Sequence, residues 1–319
     1  MTEPTVSTAV ETETTVSRTT ERVPGPPVAP GPQRERRASL ASDAWRELKH
    51  NPIFWVSAVL ILIFGMMALF PQLFTSTDPY ANNACSLSNS LEPPSSQHWM
   101  GTDVQGCDQY ARVIYSARAS VSVGIIVTLL TTLIGGIVGA AAGFYGGTAD
   151  AVLSRITDIF AGLPLLLGGV VFLSVFKFKG IWGVVLALSV LGWITAARIM
   201  RSSVIQVKNA DYVQAARALG ANNARVMRRH VLPNALTPVI VIAMLSLGGY
   251  VSTEATLSFL GIGLQPPTIS WGVMISDASK RFLTAPYLLL FPSLFLSLTV
   301  LSFILLGEAV RDALDPKLR

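Results

Sequence analysis

Few side chains in this sequence could carry covalent, metal or acid–base chemistry, and their spacing speaks against all three. The three histidines, His50, His98 and His230, are too scattered for a metal set, whose ligands recur within a few residues. There is no GxxxxGK[ST] phosphate loop, and no Ser-His-Asp or paired-carboxylate arrangement is apparent. Neither a catalytic residue nor a bound cofactor or metal is therefore expected on this chain. Three features remain. Glu254 is the one charge well inside an apolar stretch, and Cys85 and Cys107 are the only thiols. The segment QAARALGANNARVMRRHVLPN, Gln214 to Asn234, gathers four arginines and a histidine in a helical pattern interrupted by Gly-Ala-Asn-Asn.

The elements that hold these residues are apolar helices. The chain of 319 residues is 51% hydrophobic and 13% charged, against about 25% charged for a soluble domain. Six stretches are long enough to cross a bilayer as helices: Ile53 to Phe74, Ala119 to Ala142, Ile156 to Phe176, Ile181 to Ala197, Leu236 to Leu260 and Tyr287 to Gly307. Ahead of them, residues 1–50 are polar and rich in Pro, Thr, Glu and Arg, a composition that predicts a disordered tail, and no secretory signal is recognisable there. With that tail in the cytoplasm, sixteen Lys and Arg residues fall on inner segments and six on outer ones (Arg112, Arg118, Lys177, Lys179, Lys280 and Arg281). By the positive-inside rule both termini are cytoplasmic, so the net charge of +5 follows from topology and implies no nucleic acid. The expected organisation is a tail (1–50), a first span (51–74), an extracytoplasmic loop (75–118) and a core of five further spans (119–319), with a cytoplasmic loop over 198–235.

On this frame the singled-out residues acquire places. Gly135, Gly139 and Gly143 recur every four residues and predict a smooth face for close helix packing. Pro164 predicts a kink in the third span. Glu254, at the outer part of the fifth span, either lines a path or is a hydrogen-bonded structural residue. Cys85 and Cys107 share the long outer loop in an oxidising compartment, where a disulfide is expected, two free thiols being the alternative. In the inner loop, Asp211 is placed as the N-cap of a short helix closed by Gly220, and a second helix is stopped by Pro233. Such a basic helix-turn-helix could hold anionic lipid, read DNA or dock a soluble protein. DNA reading between two membrane spans is the poorest fit.

Three separated motifs carry a family resemblance over about residues 45–319. The loop resembles the EAA loop of ABC-importer permeases: Ala215, Ala216, Gly220, Leu232 and Pro233 match its pattern, while Gln214 replaces the glutamate and His230 takes a hydrophobic position. HWMGTDVQGCDQYARVIYSARASVSVG, and the pair EATLSFLGIGLQPPTISWGVMI and LGEAVRDALDPKLR, are similar to the C-type subunit of dipeptide and oligopeptide permeases, with Trp99 and Cys107 as departures. The resemblance implies an all-α permease subunit in the cell membrane that pairs with a different permease. It also implies two ATPase subunits holding ATP and Mg, and an extracytoplasmic peptide-binding protein. The coupling contacts would fall on Asp211, Gln214, Ala215, Ala216, Gly220, Leu232 and Pro233. A nickel or other-solute importer on the same scaffold, and a secondary transporter or channel, are the alternatives.

Overall fold

The computed structural model describes residues 45–81, 83–178 and 180–314. The expected disordered tail lies outside these up to position 44, as do the basic residues counted for orientation at positions 34, 36, 37, 179, 317 and 319. Where the tail meets the first span, residues 45–48 are helical rather than irregular, and Trp45 meets Phe54 edge-on at 6.0 Å.

The described chain is helical, with isolated bridges in the outer loop but no strand. Helix α1 (Pro52–Leu69) starts where Asn51 accepts from Ile53 N at 2.9 Å, with Pro52 at a position that needs no donor. Helix α2 (Gln109–Tyr145) begins ten residues before the predicted span, because Asp108 caps it and its first turns stand in the outer loop. At about 1.5 Å per residue its 37 residues extend about 55 Å, longer than a bilayer core. Gly146 ends it at φ 67°.

The third and fourth spans are each broken. Helices α3 (Gly147–Ala161) and α4 (Leu165–Phe176) meet at 84°, and α5 (Gly180–Gly192) and α6 (Ile194–Lys208) at 40°. The kink predicted at Pro164 is thus a full break: Pro164 has an extended ψ of 127° and cannot continue the ladder of α3. Four helices are long and apolar enough to span a membrane, or six elements when each broken pair counts as one. Beyond a loop helix α7 (Asp211–Ala218) and a short α8 (Asn223–Val226) run α9 (Leu232–Phe259), α10 (Trp271–Ser279) and α11 (Tyr287–Leu314).

The tightest seam lies between α2 and α6. A Cβ on Gly135 would stand 2.5 Å from the Trp193 carbonyl oxygen and one on Gly143 2.7 Å from that of Arg201, while one on Gly139 would collide with that of Ala197. The four-residue glycine period therefore brings two backbones together. Arg201 adds a bidentate pair to Asp150 (2.5 and 2.7 Å), tying α6 to α3. On the outer side Phe64 of α1, Trp271 of α10 and Phe295 of α11 pack edge-on, and Trp271 Nε1 donates to Val113 O at 3.0 Å. Leu129, Leu133 and Ile137 form an uncovered apolar ridge on α2, as expected of a surface facing lipid or another membrane helix.

Candidate functional site

The inner loop is rooted in the bundle by a small apolar cluster. Val213 of α7, Val226 of α8 and Val231, Ala235 and Val239 beyond it are fully buried against Phe144, Met200 and Val204 at the inner ends of α2 and α6. Lys208 Nζ donates to the Gly143 and Phe144 carbonyl oxygens at 2.7 and 3.3 Å, supplying cation and donor at the C-terminus of α2. Arg217 lies 5.7 Å over the Phe144 ring. Movement of α7 is therefore mechanically linked to the 37-residue helix α2.

Around that root the loop differs from its sequence-based description in two ways. The N-cap of α7 is Ala210, and Asp211 is the first helical residue, where its charge favours the helix N-terminus without a capping bond. Pro233 does not stop the second helix. Asn222 caps α8 by accepting from Arg225 N at 2.8 Å, and α8 passes through a π-helical turn, Met227–Val231, directly into α9. Leu232 and Pro233 stand in the first turn of α9, where a missing N–H is tolerated, and Asn234 Nδ2 donates to the His230 carbonyl at 2.7 Å. Gly220, at φ 85° just past α7, makes the turn between the two helices.

The outward face of α7 is uncovered. Gln214 and Ala215 are exposed, Ala216 is half-buried, and Gln214 Nε2 reaches only Lys208 O at 3.4 Å. Tyr212 and Leu219, seven residues apart, project at 49% and 89% exposure. The sequence reading passed over these two, although a tyrosine and a leucine two turns apart along a short helix are an available signal for an apolar docking face.

The other singled-out residues lie elsewhere. Cys85 and Cys107 form a disulfide in the outer loop, beside the N-terminus of α2 and so at the opposite end of that helix from α7. They border an outer cavity of about 570 Å³ between this loop and α10. Its Arg112 is ion-paired to Asp103 and lies 4.0 Å from Asp277. Glu254 is fully buried, accepts from Ser258 Oγ at 2.8 Å, and through Ser258, which accepts from Leu264 N at 2.9 Å, braces the turn after α9. A second cavity, about 420 Å³, opens between the breaks of the two broken spans and α9, and Glu254 is absent from its lining.

Residues 132–319 match the family described as binding-protein-dependent transport system inner membrane component, and residues 39–94 match the N-terminal TM domain of oligopeptide transport permease C. The chain is 39% identical over 285 residues to the oligopeptide transport system permease protein OppC of Bacillus subtilis (strain 168), covering 89% of this chain and 92% of that protein. It is 40% identical over 282 residues to the dipeptide transport system permease protein DppC of the same organism, covering 88% and 87%. Among solved structures, an inward-facing form of the MetNI methionine ABC transporter aligns with a TM-score of 0.51 at 19% identity, over 63% of this chain and 96% of that one, a likeness of fold.

Proposed function

The chain belongs to the binding-protein-dependent transport system inner membrane component family, and from that premise we propose that it is the C-type permease subunit of an ATP-driven importer of dipeptides or oligopeptides. It forms half of the translocation pathway beside a related but different permease. Both termini and the loop from Asp211 to Pro233 face the cytoplasm, in keeping with the excess of Lys and Arg on those segments. ATP and Mg are held by two ATPase subunits, and an extracytoplasmic binding protein delivers cargo at the disulfide-bonded loop.

The observation that carries this reading is the geometry of α7. One residue, Val213, anchors it, the rest of its surface is half-buried or exposed, and its flanks are fastened to α2 and α6. That is the arrangement of a lever. An exposed face can receive a soluble motor, and rigid attachments pass its displacement to the spans. A self-contained channel or secondary carrier has no use for such a surface. Uptake of a labelled tripeptide into proteoliposomes holding this chain with its co-encoded partners tests the reading. ATP-dependent, vanadate-sensitive accumulation is expected. Accumulation of nickel ion and no peptide would assign a different cargo to the same machine, and accumulation without ATP would replace the machine.

A further inference from the structure

The cavity of about 420 Å³ between the two breaks and α9 lies within the size range of small-ligand sites, about 300–1,000 Å³. Two independent features meet in it. The breaks of both broken spans contribute to its wall, through Leu163 and Leu165 on one side and Gly192 and Ile194 on the other. Interrupted backbone at membrane depth is tolerated where it is packed in protein or borders a water-filled space. Facing the breaks, α9 contributes Ser246, Gly249 and Thr253, spaced by three and four residues and hence on one face of the helix. The opposite face of α9, with Gly248, Val251 and Ala255, is buried in the bundle. Gly249 is exposed and a Cβ there would meet nothing within 4 Å. An uncovered stripe of small and hydroxyl-bearing residues is suited to bordering water or another protein surface.

The hydroxyl geometry specifies what this wall offers. Thr253 Oγ1 donates to Gly249 O at 2.8 Å, so its hydroxyl proton is spent on the helix and its oxygen keeps acceptor capacity. Tyr250 OH donates to Gly192 O at 2.9 Å and fixes the rotation of α9 against the break. The cavity has a single ionised lining residue, Arg198 at its rim, which already pairs with Asp158 at 3.2 Å. We propose that this cavity is a stretch of the cargo path in which the hydroxyl oxygens of Ser246 and Thr253 accept from the main-chain N–H groups of an extended peptide. A wall of this kind engages what all peptides share, and its one charged lining residue, Arg198, is paired with Asp158. Peptide sorting is thereby left to other parts of the transporter. This inference rests on the peptide-import reading.

The test uses the reconstituted transporter with its binding protein and three tripeptides, Ala-Ala-Ala, Ala-Lys-Ala and Ala-Glu-Ala. Thr253→Asp is expected to raise the Lys-to-Glu uptake ratio about tenfold over the parent, since a carboxylate added to the cavity wall attracts a passing lysine and repels a glutamate. Thr253→Val, nearly isosteric but without the acceptor, is expected to lower uptake of all three peptides by the same factor. An unaltered ratio in an active Thr253→Asp transporter overturns the inference. If that variant does not assemble, Ser246→Asp carries the same expectation, and parental uptake by Thr253→Val also overturns it. A parent that accumulates another solute and no peptide refutes the import reading itself, and this inference with it.

Discussion

Gly220 allows the lever account to be tested at one backbone position. Its φ of 85° is left-handed, and a Cβ there would meet nothing within 4 Å, so crowding contributes no penalty and only the dihedral matters. Placing an L-residue in this region costs about 1–2 kcal/mol, with β-branched residues at the upper end or beyond and Asn near the lower. The series Gly220→Asn, Gly220→Ala and Gly220→Val should therefore weaken the α7–α8 turn progressively. If the native turn competes with an unwound loop, about 2 kcal/mol reduces the fraction of properly shaped levers relative to unwound ones about thirtyfold. ATP-driven uptake and retention of the ATPase would be measured on the same membranes. The order Gly, Asn, Ala, Val is expected in both, with the amount of inserted chain unchanged because the loop lies outside the spans. Parental uptake by Gly220→Val would refute the reasoning. So would a deficit in Ala as large as in Val, which would point to a contact at this surface instead of backbone strain.

Further predictions concern the scaffold. Gly139→Leu drives a side chain into the Ala197 carbonyl across the α2–α6 seam and should cost about 2–3 kcal/mol or more, seen as loss of folded protein in a detergent melting assay, whereas Gly136→Leu on the open side should melt like the parent. Replacing Cys85 and Cys107 by Ser, two residues with a sequence separation of 22, should cost the outer loop about 3 kcal/mol of loop-closure entropy, read as faster proteolysis between Leu69 and Gln109 with the spans intact. Glu254→Gln keeps an acceptor for Ser258 and should leave melting close to the parent, while Glu254→Ala should lower it sharply by opening a fully buried hole and freeing the turn at Leu264. Equal melting of the two Glu254 variants would contradict the bracing role.

What was legible in the sequence followed the regularity of the helix. The positions 135, 139 and 143 could be read as a packing seam because a four-residue period keeps side chains on one face, whatever the partner. Gly220 was legible because a glycine just past an amphipathic segment has few other uses. Proline was less informative. Pro164 marks an 84° break and Pro233 lies in a continuous helix, and the difference depends on neighbours: an extended backbone at the first, a π turn that widens the preceding ladder at the second. Hydropathy misplaced the start of α2 because Gln109, Arg112 and Arg118 interrupt the apolar run, although this part of the helix is largely buried against protein. The Ser246–Thr253 stripe escaped notice because three small residues in an apolar run carry little periodic signal until the other face of α9 is known to be buried.

The central claim is that α7 is the surface on which an ATPase acts. A photo-reactive amino acid at Leu219, the most exposed large apolar side chain of the loop at 89%, tests it directly when illuminated in native membranes of the expressing cell. The account predicts a cross-link whose mass identifies the ATPase subunit encoded with this chain, with a yield that changes when ATP and Mg are added. Cross-links to lipid alone, or labelling of position 219 by an impermeant reagent from outside the cell, would contradict it.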